Sequence, residues 1–275
     1  MTLRLICSDL DGTLIPSGYC AESHRALRTF ARLISKHEIQ LAYVSGRDHR
    51  LVQQVIDEYQ LPAPDYVISD VGASIYACHE HNWTLIQDWH HHIGPDWGGR
   101  GALDIAVFFA ETPGLILQED AHQGRYKLSF YAPLEVDQSA LLWHVQELAG
   151  EHQLAVSLIY SVDHGKHIAL LDILPAAANK LAAIRYLMNL LRLHADEVLF
   201  AGDSGNDMDV LSSELPAVLV ANAHDSVRRQ ALRMARQAGY CDQLYVARGV
   251  KGDGRYADGV IEGIQFYFPD LREAI

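Results

Sequence analysis

The sequence predicts an α/β protein, a doubly wound, Rossmann-like parallel sheet interrupted by an inserted α+β module. Short apolar runs alternate with segments of helical periodicity through the first third of the chain, and the same alternation returns in the last third. Between them lies a run of strand-like segments with two amphipathic stretches, the pattern of a small sheet with helices packed on one face. The expected division places residues 1–84 and 173–275 in the core and 85–172 in the insert.

Leu3, Leu5, Ile6 and Cys7 read as a buried strand that turns at Ser8. Residues 22–36 repeat apolar side chains at helical spacing (Ala26, Leu27, Phe30, Leu33, Ile34). A strand over 39–44, a helix over 49–59 and a strand over 65–68 follow, with Pro62 and Pro64 punctuating the loop. A hairpin is expected from 74–76 and 83–86. In the insert, a helix falls within 96–111 and another over 137–150, with strands over 115–118, 126–131, 154–160 and 167–173. The last third gives helices over 177–191, from Asp207 and over 226–238, and strands over 198–201, 217–220 and 244–246. His90-His91-His92 reads as a solvated linker, because three adjacent side chains share no single face. Trp83, Trp89, Trp97 and Trp143 read as core or interface residues.

A chain of 275 residues, 49% of them hydrophobic, is long enough to bury a substantial core. No apolar run approaches the ~20 residues that cross a bilayer, so a soluble, cytoplasmic protein is expected. The four cysteines (Cys7, Cys20, Cys78, Cys241) are scattered without CxxC spacing, which suits a reducing compartment. A net charge of −13 argues against nucleic acid or an anionic membrane as partner. A phosphate substrate would then require locally placed positive charge.

The chemistry collects where strands end, as it does in open α/β sheets. The first strand delivers Asp9 and Asp11 into a loop turned by Gly12 and tied by Thr13. Two acids this close repel unless a cation or a reaction uses them, and Mg²⁺ takes one or two carboxylates while leaving room for phosphate. The second strand ends in Ser45-Gly46-Arg47. A later one ends in Gly202-Asp203-Ser204-Gly205-Asn206-Asp207. Lys180 stands near the start of a helix, against the helix dipole, which costs a few tenths of a kcal/mol unless anions face it.

Asp9-Leu10-Asp11-Gly12-Thr13, Ser45, Lys180 and Gly202-Asp203-x-x-x-Asp207 resemble the four ordered motifs of the haloacid dehalogenase superfamily. The gap between Ser45 and Lys180 resembles the place where that superfamily inserts its larger, C2-type cap. Leu41-Ala42-Tyr43, Pro64-Asp65-Tyr66, Val71-Gly72, Lys127-Leu128-Ser129, Asp172-Ile173-Leu174-Pro175 and Gly259-Val260-Ile261-Glu262-Gly263 are similar to its sucrose-phosphatase branch. Two positions depart from that branch. Ser45 replaces the usual threonine and keeps the hydroxyl, and Ser74 replaces a glutamate expected to face sugar.

The resemblance implies that Asp9 is a nucleophile and Asp11 a general acid and base. It implies Mg²⁺ held by Asp9, the carbonyl of Asp11 and Asp203, with Asp207 orienting the shell. Ser45, Gly46, Lys180 and Asn206 would bind the phosphoryl group. Arg47, Lys127, Ser129 and Asp172 are the candidate sugar contacts, and a disaccharide phosphate, sucrose 6-phosphate first, is the implied substrate. A phosphatase for mannosylfructose phosphate, glucosylglycerol phosphate or a hexose phosphate remains open, as does a phosphosugar mutase. So does a non-catalytic domain that binds a sucrose-phosphate synthase, although the intact motif residues argue against decay; a synthase is also open as a partner of the active enzyme.

Overall fold

The first strand, β1 (Leu5–Ser8), is buried at every position, as its unbroken apolar run requires of a strand covered on both faces. It is followed by α1 (Ala21–His37), β2 (Gln40–Val44), α2 (His49–Tyr59), β3 (Tyr66–Ser69) and the hairpin β4 (Ser74–His79) and β5 (Asn82–Leu85). Next come α3 (Gln87–Ile93), α4 (Ala102–Phe109), β6 (Ile116–Leu117), β7 (Leu128–Ala132), α5 (Gln138–Glu151), β8 (Val156–Asp163) and β9 (Ile168–Pro175). The chain closes with α6 (Lys180–Leu191), β10 (Val198–Gly202), α7 (Met208–Leu211), β11 (Ala217–Leu219), α8 (Asp225–Ala238), β12 (Leu244–Val246) and α9 (Tyr256–Tyr267). The structure is a computed structural model that describes residues 2–16, 21–79, 82–163, 165–250 and 252–274; Cys20 lies outside them.

The main sheet has the order β12-β11-β10-β1-β2-β3-β4-β5. Its strands run parallel from β12 to β3, and the β4–β5 hairpin adds two antiparallel strands at one edge. Side-chain alternation along β1 divides the core. Ile6 joins Phe30, Leu33, Val52 and Ile264 on one face, whereas Leu5 and Cys7 join Ile184, Leu187 and Phe200 on the other. The sheet is therefore wound on both faces. Its topological switch lies at β1, which has β2 on one side and β10 on the other.

The second sheet, β6-β7-β9-β8, is antiparallel throughout and packs α4 and α5 through Ile105, Phe109, Leu141 and Val145. That core continues through Trp89, Ile93 and Trp97 into one face of the main sheet. Strand β9 runs on to Pro175, past the expected boundary at 172/173.

Three local readings need correction. The histidine triplet is not a linker. It lies in α3, where Trp89 and Ile93, four residues apart, face the core and His90 is buried with Nε2 3.1 Å from Ser74 Oγ. Helix α6 starts at Lys180 rather than near Ala177, because the Asn179 side chain caps it by accepting from Ala182 N–H at 2.7 Å. Helix α9 had no counterpart among the expected elements. Among the tryptophans, Trp89 and Trp97 are core residues, but Trp143 is exposed on α5.

Candidate active site

Because β10, β1 and β2 are adjacent and parallel, their carboxyl ends bring three sequence-distant loops together. Asp9 extends β1 by donating its N–H to the Ala201 carbonyl at 2.9 Å. Asp9 is 4% exposed, and its carboxylate accepts a bond from Lys180 Nζ at 3.0 Å on Oδ1. Lys180, 1% exposed, also donates to Asp207 Oδ1 at 2.7 Å. Burial alone would lower the lysine pKa, but the facing carboxylates of Asp207 and Asp9 outweigh it and hold the ammonium charged.

Asp207 is fully committed to protein partners. Its second oxygen accepts from the N–H groups of Asp203 and Ser204, at 3.1 and 3.0 Å. Asp203 is fixed by Thr13, whose hydroxyl donates to Oδ1 at 3.0 Å. Oδ2 of Asp9 and Oδ2 of Asp203 receive no hydrogen bond from the described residues. One carboxylate oxygen from each of Asp9, Asp203 and Asp207 lies within 4.8 Å of the others. Burial raises the pKa of Asp9 to about 7, Lys180 opposes this, and Asp207 and Asp11 add to it. Asp203 is pushed up to about 8 by burial and then by Asp9 and Asp207. An all-oxygen donor set that one ammonium leaves under-neutralised fits a hard divalent cation.

Gly12 makes this approach feasible. Its φ of +77° lies in the left-handed region, and a Cβ there would sit 2.3 Å from Asp203 Oδ2. Gly12→Ala is expected to displace Asp203, destabilise the fold by about 1–2 kcal/mol and cut turnover at least tenfold, measured by thermal melts and steady-state rates.

Asp11 sits at the mouth, with Arg47 gripping it through two bonds, Nε to Oδ2 at 2.6 Å and Nη2 to Oδ1 at 2.8 Å. Both side chains are substantially exposed, so this fork is worth only about 0.2–1 kcal/mol and can open as a ligand enters. Ser45 is buried beside it, its Oγ accepting from Arg47 N–H at 3.2 Å. Gly46 faces Asn206 across the cleft, close to its Nδ2.

The expected sugar contacts are each engaged with protein partners. Arg47 is on Asp11. Lys127 is buried, with Nζ 2.7 Å from the Gly46 carbonyl and 3.2 Å from Asp70 Oδ1. Ser129 and Asp172 face each other across β7 and β9, and the serine hydroxyl donates to Asp172 Oδ1 at 2.5 Å. Asp70 was not singled out by the sequence reading, because nothing in its local pattern announces a lysine more than fifty residues away.

A doubly wound sheet with this carboxylate–lysine centre at its switch point defines a haloacid dehalogenase-type hydrolase. More narrowly, the chain belongs to the sucrose-6F-phosphate phosphohydrolase family, whose model matches residues 2–268, and it is a phosphoric monoester hydrolase. It is 46% identical over 270 residues to a putative haloacid dehalogenase-like hydrolase of Nitrosococcus oceani, covering 98% of this chain and 72% of that one. It is 29% identical to the mannosylfructose-phosphate phosphatase of Agrobacterium fabrum, over 96% of this chain and 97% of that one. The sucrose-phosphatase of Synechocystis, solved with sucrose and phosphate, shares the fold at a TM-score of 0.79 and 23% identity, covering 97% and 98% of the two chains. Among the described residues, no helix is long and apolar enough to cross a membrane.

Proposed function

We propose that the protein hydrolyses a disaccharide phosphate, sucrose 6-phosphate first, in a Mg²⁺-dependent reaction through an aspartyl-phosphate on Asp9. The observation that carries this reading is the placement of Asp9, with one oxygen fixed by Lys180 and the other receiving no hydrogen bond from the described residues. That second oxygen attacks phosphorus, the Asp9 oxygen–phosphorus bond forms, and the bond to the sugar oxygen breaks. Asp11 gives its proton to the departing sugar oxygen. In the second step Asp11 takes a proton from water, the water oxygen bonds to phosphorus, and Asp9 is released with inorganic phosphate.

The hydroxyl of Ser45, the Gly46 N–H, Lys180 and Asn206 bind the phosphoryl oxygens and stabilise the charge spread over them. A divalent cation held by Asp9, the Asp11 carbonyl and Asp203, with Asp207 orienting them, would cancel the repulsion between a carboxylate and a phosphate dianion. Arg47, released from Asp11, and the unshared oxygen of Asp172 are the sugar contacts we favour. We take residues 85–172 as the cap that closes over the sugar and excludes bulk water.

Phosphate release measured across sucrose 6-phosphate, mannosylfructose phosphate and glucose 6-phosphate, with and without Mg²⁺, tests the assignment. Sucrose 6-phosphate is expected to turn over fastest and only with the cation; hydrolysis no faster than that of glucose 6-phosphate overturns the substrate. Ser74 in place of the branch's glutamate weakens the case for sucrose 6-phosphate, and the full-length similarity to a mannosylfructose-phosphate phosphatase makes mannosylfructose phosphate the second reading.

The acid cluster also sets a pH dependence. Asp9 and Asp203 have folded-state pKa values raised above the ordinary 3.8, so the native state binds more protons than the unfolded chain between about pH 4 and pH 8. Cation-free protein is therefore expected to lose stability as pH rises through that window. Because Mg²⁺ binds the ionised form, its rise in melting temperature should be larger near pH 8 than near pH 6. Equal shifts at both values in a thermal melt would contradict the assignment.

A further inference from the structure

Asp70, Val71 and Gly72 follow β3 with φ values of 55°, 57° and 107°, three successive residues in the left-handed region, one of them β-branched. Such a turn persists only where its surroundings hold it. The N–H groups of Asp70 and Val71 donate to the carbonyls of Arg47 and Ser45, at 2.9 and 3.0 Å, so the turn is bonded directly onto the phosphate loop. Gly72 is pressed against the Asn179 carbonyl, one residue before Lys180, where a Cβ would lie 2.3 Å away. Its own carbonyl accepts from Trp89 Nε1 at 2.9 Å. The turn thus touches the phosphate loop and the start of the lysine-bearing helix at once.

What the turn presents outward is the Asp70 carboxylate. It is 5% exposed, receives the Ser69 hydroxyl at 3.2 Å and faces Lys127 at 3.2 Å. Lys127 belongs to the chain leading into β7 of the second sheet, and the same ammonium reaches the Gly46 carbonyl. Gly124 closes over the pair, with the Asp70 carboxyl 3.1 Å from the position of a Cβ. On its other side Asp70 lines a cavity of about 940 Å³ shared with Ser74, His90, Gln123 and Tyr126, from both sheet layers.

We propose that Asp70 is a positioning residue, forming with Lys127 a buried clamp that fixes the second sheet against the Ser45–Gly46 loop and sets the register between sugar and phosphate. This rests on the phosphatase reading above. The pair crosses between layers and ends on the Gly46 carbonyl, so a change in either partner alters where the second sheet, and with it the sugar, sits relative to the phosphate loop. A substrate that meets only the phosphate loop does not depend on that register, whereas one that spans both layers does.

Three variants, Asp70→Asn, Lys127→Met and the double, test the clamp. Asparagine is chosen because it tolerates the left-handed backbone as aspartate does, so the turn keeps its shape. Each single variant leaves one buried charge unpaired and is expected to melt lower, while the double, with neither charge, regains stability and stays measurable. Activity separates positioning from mere structure. For sucrose 6-phosphate, kcat/KM should fall by about 10²-fold in all three, by the same factor within threefold, with the double no worse than either single. Hydrolysis of para-nitrophenyl phosphate, with Mg²⁺ present, should change less than about threefold. The clamp is overturned if Asp70→Asn keeps full sugar-phosphate turnover, if the two losses multiply in the double, or if the small ester falls in parallel. The wild-type enzyme separates this from failure of the phosphatase reading, since that failure would leave both substrates untouched before any substitution.

Discussion

Asp9→Asn is expected to lose phosphatase turnover by about 10⁴-fold or more while melting no lower than the parent enzyme in the absence of Mg²⁺. The activity loss follows because an amide oxygen cannot act as the anionic nucleophile. The stability result follows from the electrostatics. Asp9 ionises reluctantly because it is buried, with Asp207 and Asp11 adding to the effect, so its charge costs the apo fold free energy, and the asparagine Oδ1 can still accept from Lys180. Single-turnover assays with melts near pH 8 check both halves. Retained turnover would remove the nucleophile assignment, and a large fall in melting temperature would show that the carboxylate is structural.

Lys180→Met carries the second large effect, in the opposite direction for stability. The ammonium is 1% exposed and bridges two carboxylates that have no other cation at bonding distance among the described residues. Removing it leaves buried negative charge uncompensated, at a cost of about 3–5 kcal/mol. In a chain of this size that is a drop in melting temperature on the order of 10 °C. The deficit should shrink as pH falls below about 7, where Asp9 takes up a proton. Turnover should fall with it, because Lys180 also fixes Asp9. Calorimetry across pH is the deciding measurement, and a deficit that does not change with pH would mean that lost packing, not charge, is responsible.

Much of this centre was legible before any coordinates. Asp9, Lys180, Asp203 and Asp207 were marked by spacing and by their places at strand ends, and a parallel sheet leaves such loops little choice but to meet. The parts that escaped notice depend on tertiary contact. Helix α9 went unread because Gly259 and Gly263 argue against a helix locally. Gly263 is there because Val218 of β11 packs where a side chain would stand, with a Cβ only 2.1 Å from its methyl carbon. The His90 triplet reads as a linker if the histidines alone are weighed; the helical spacing of Trp89 and Ile93 is what places it in α3. Lys127 was noticed, but not its partner. A lysine in an apolar stretch announces that it needs an anion without saying which, and Asp70 lies on another layer.

Strand β1 is stitched on one side to β2 and on the other to β10, with Leu5 opposite both Gln40 and Val198. As the chain leaves the ribosome, the first of these pairings is available early and the second only after synthesis has passed β10. Until then the Asp9-bearing strand has one open flank, and the acids that crowd around Asp9 in the folded protein do not yet exist. No fragment of this chain ending short of Val198 contains the Asp203 and Asp207 carboxylates, so the acidic cluster cannot assemble before β10 and the loop after it have been made.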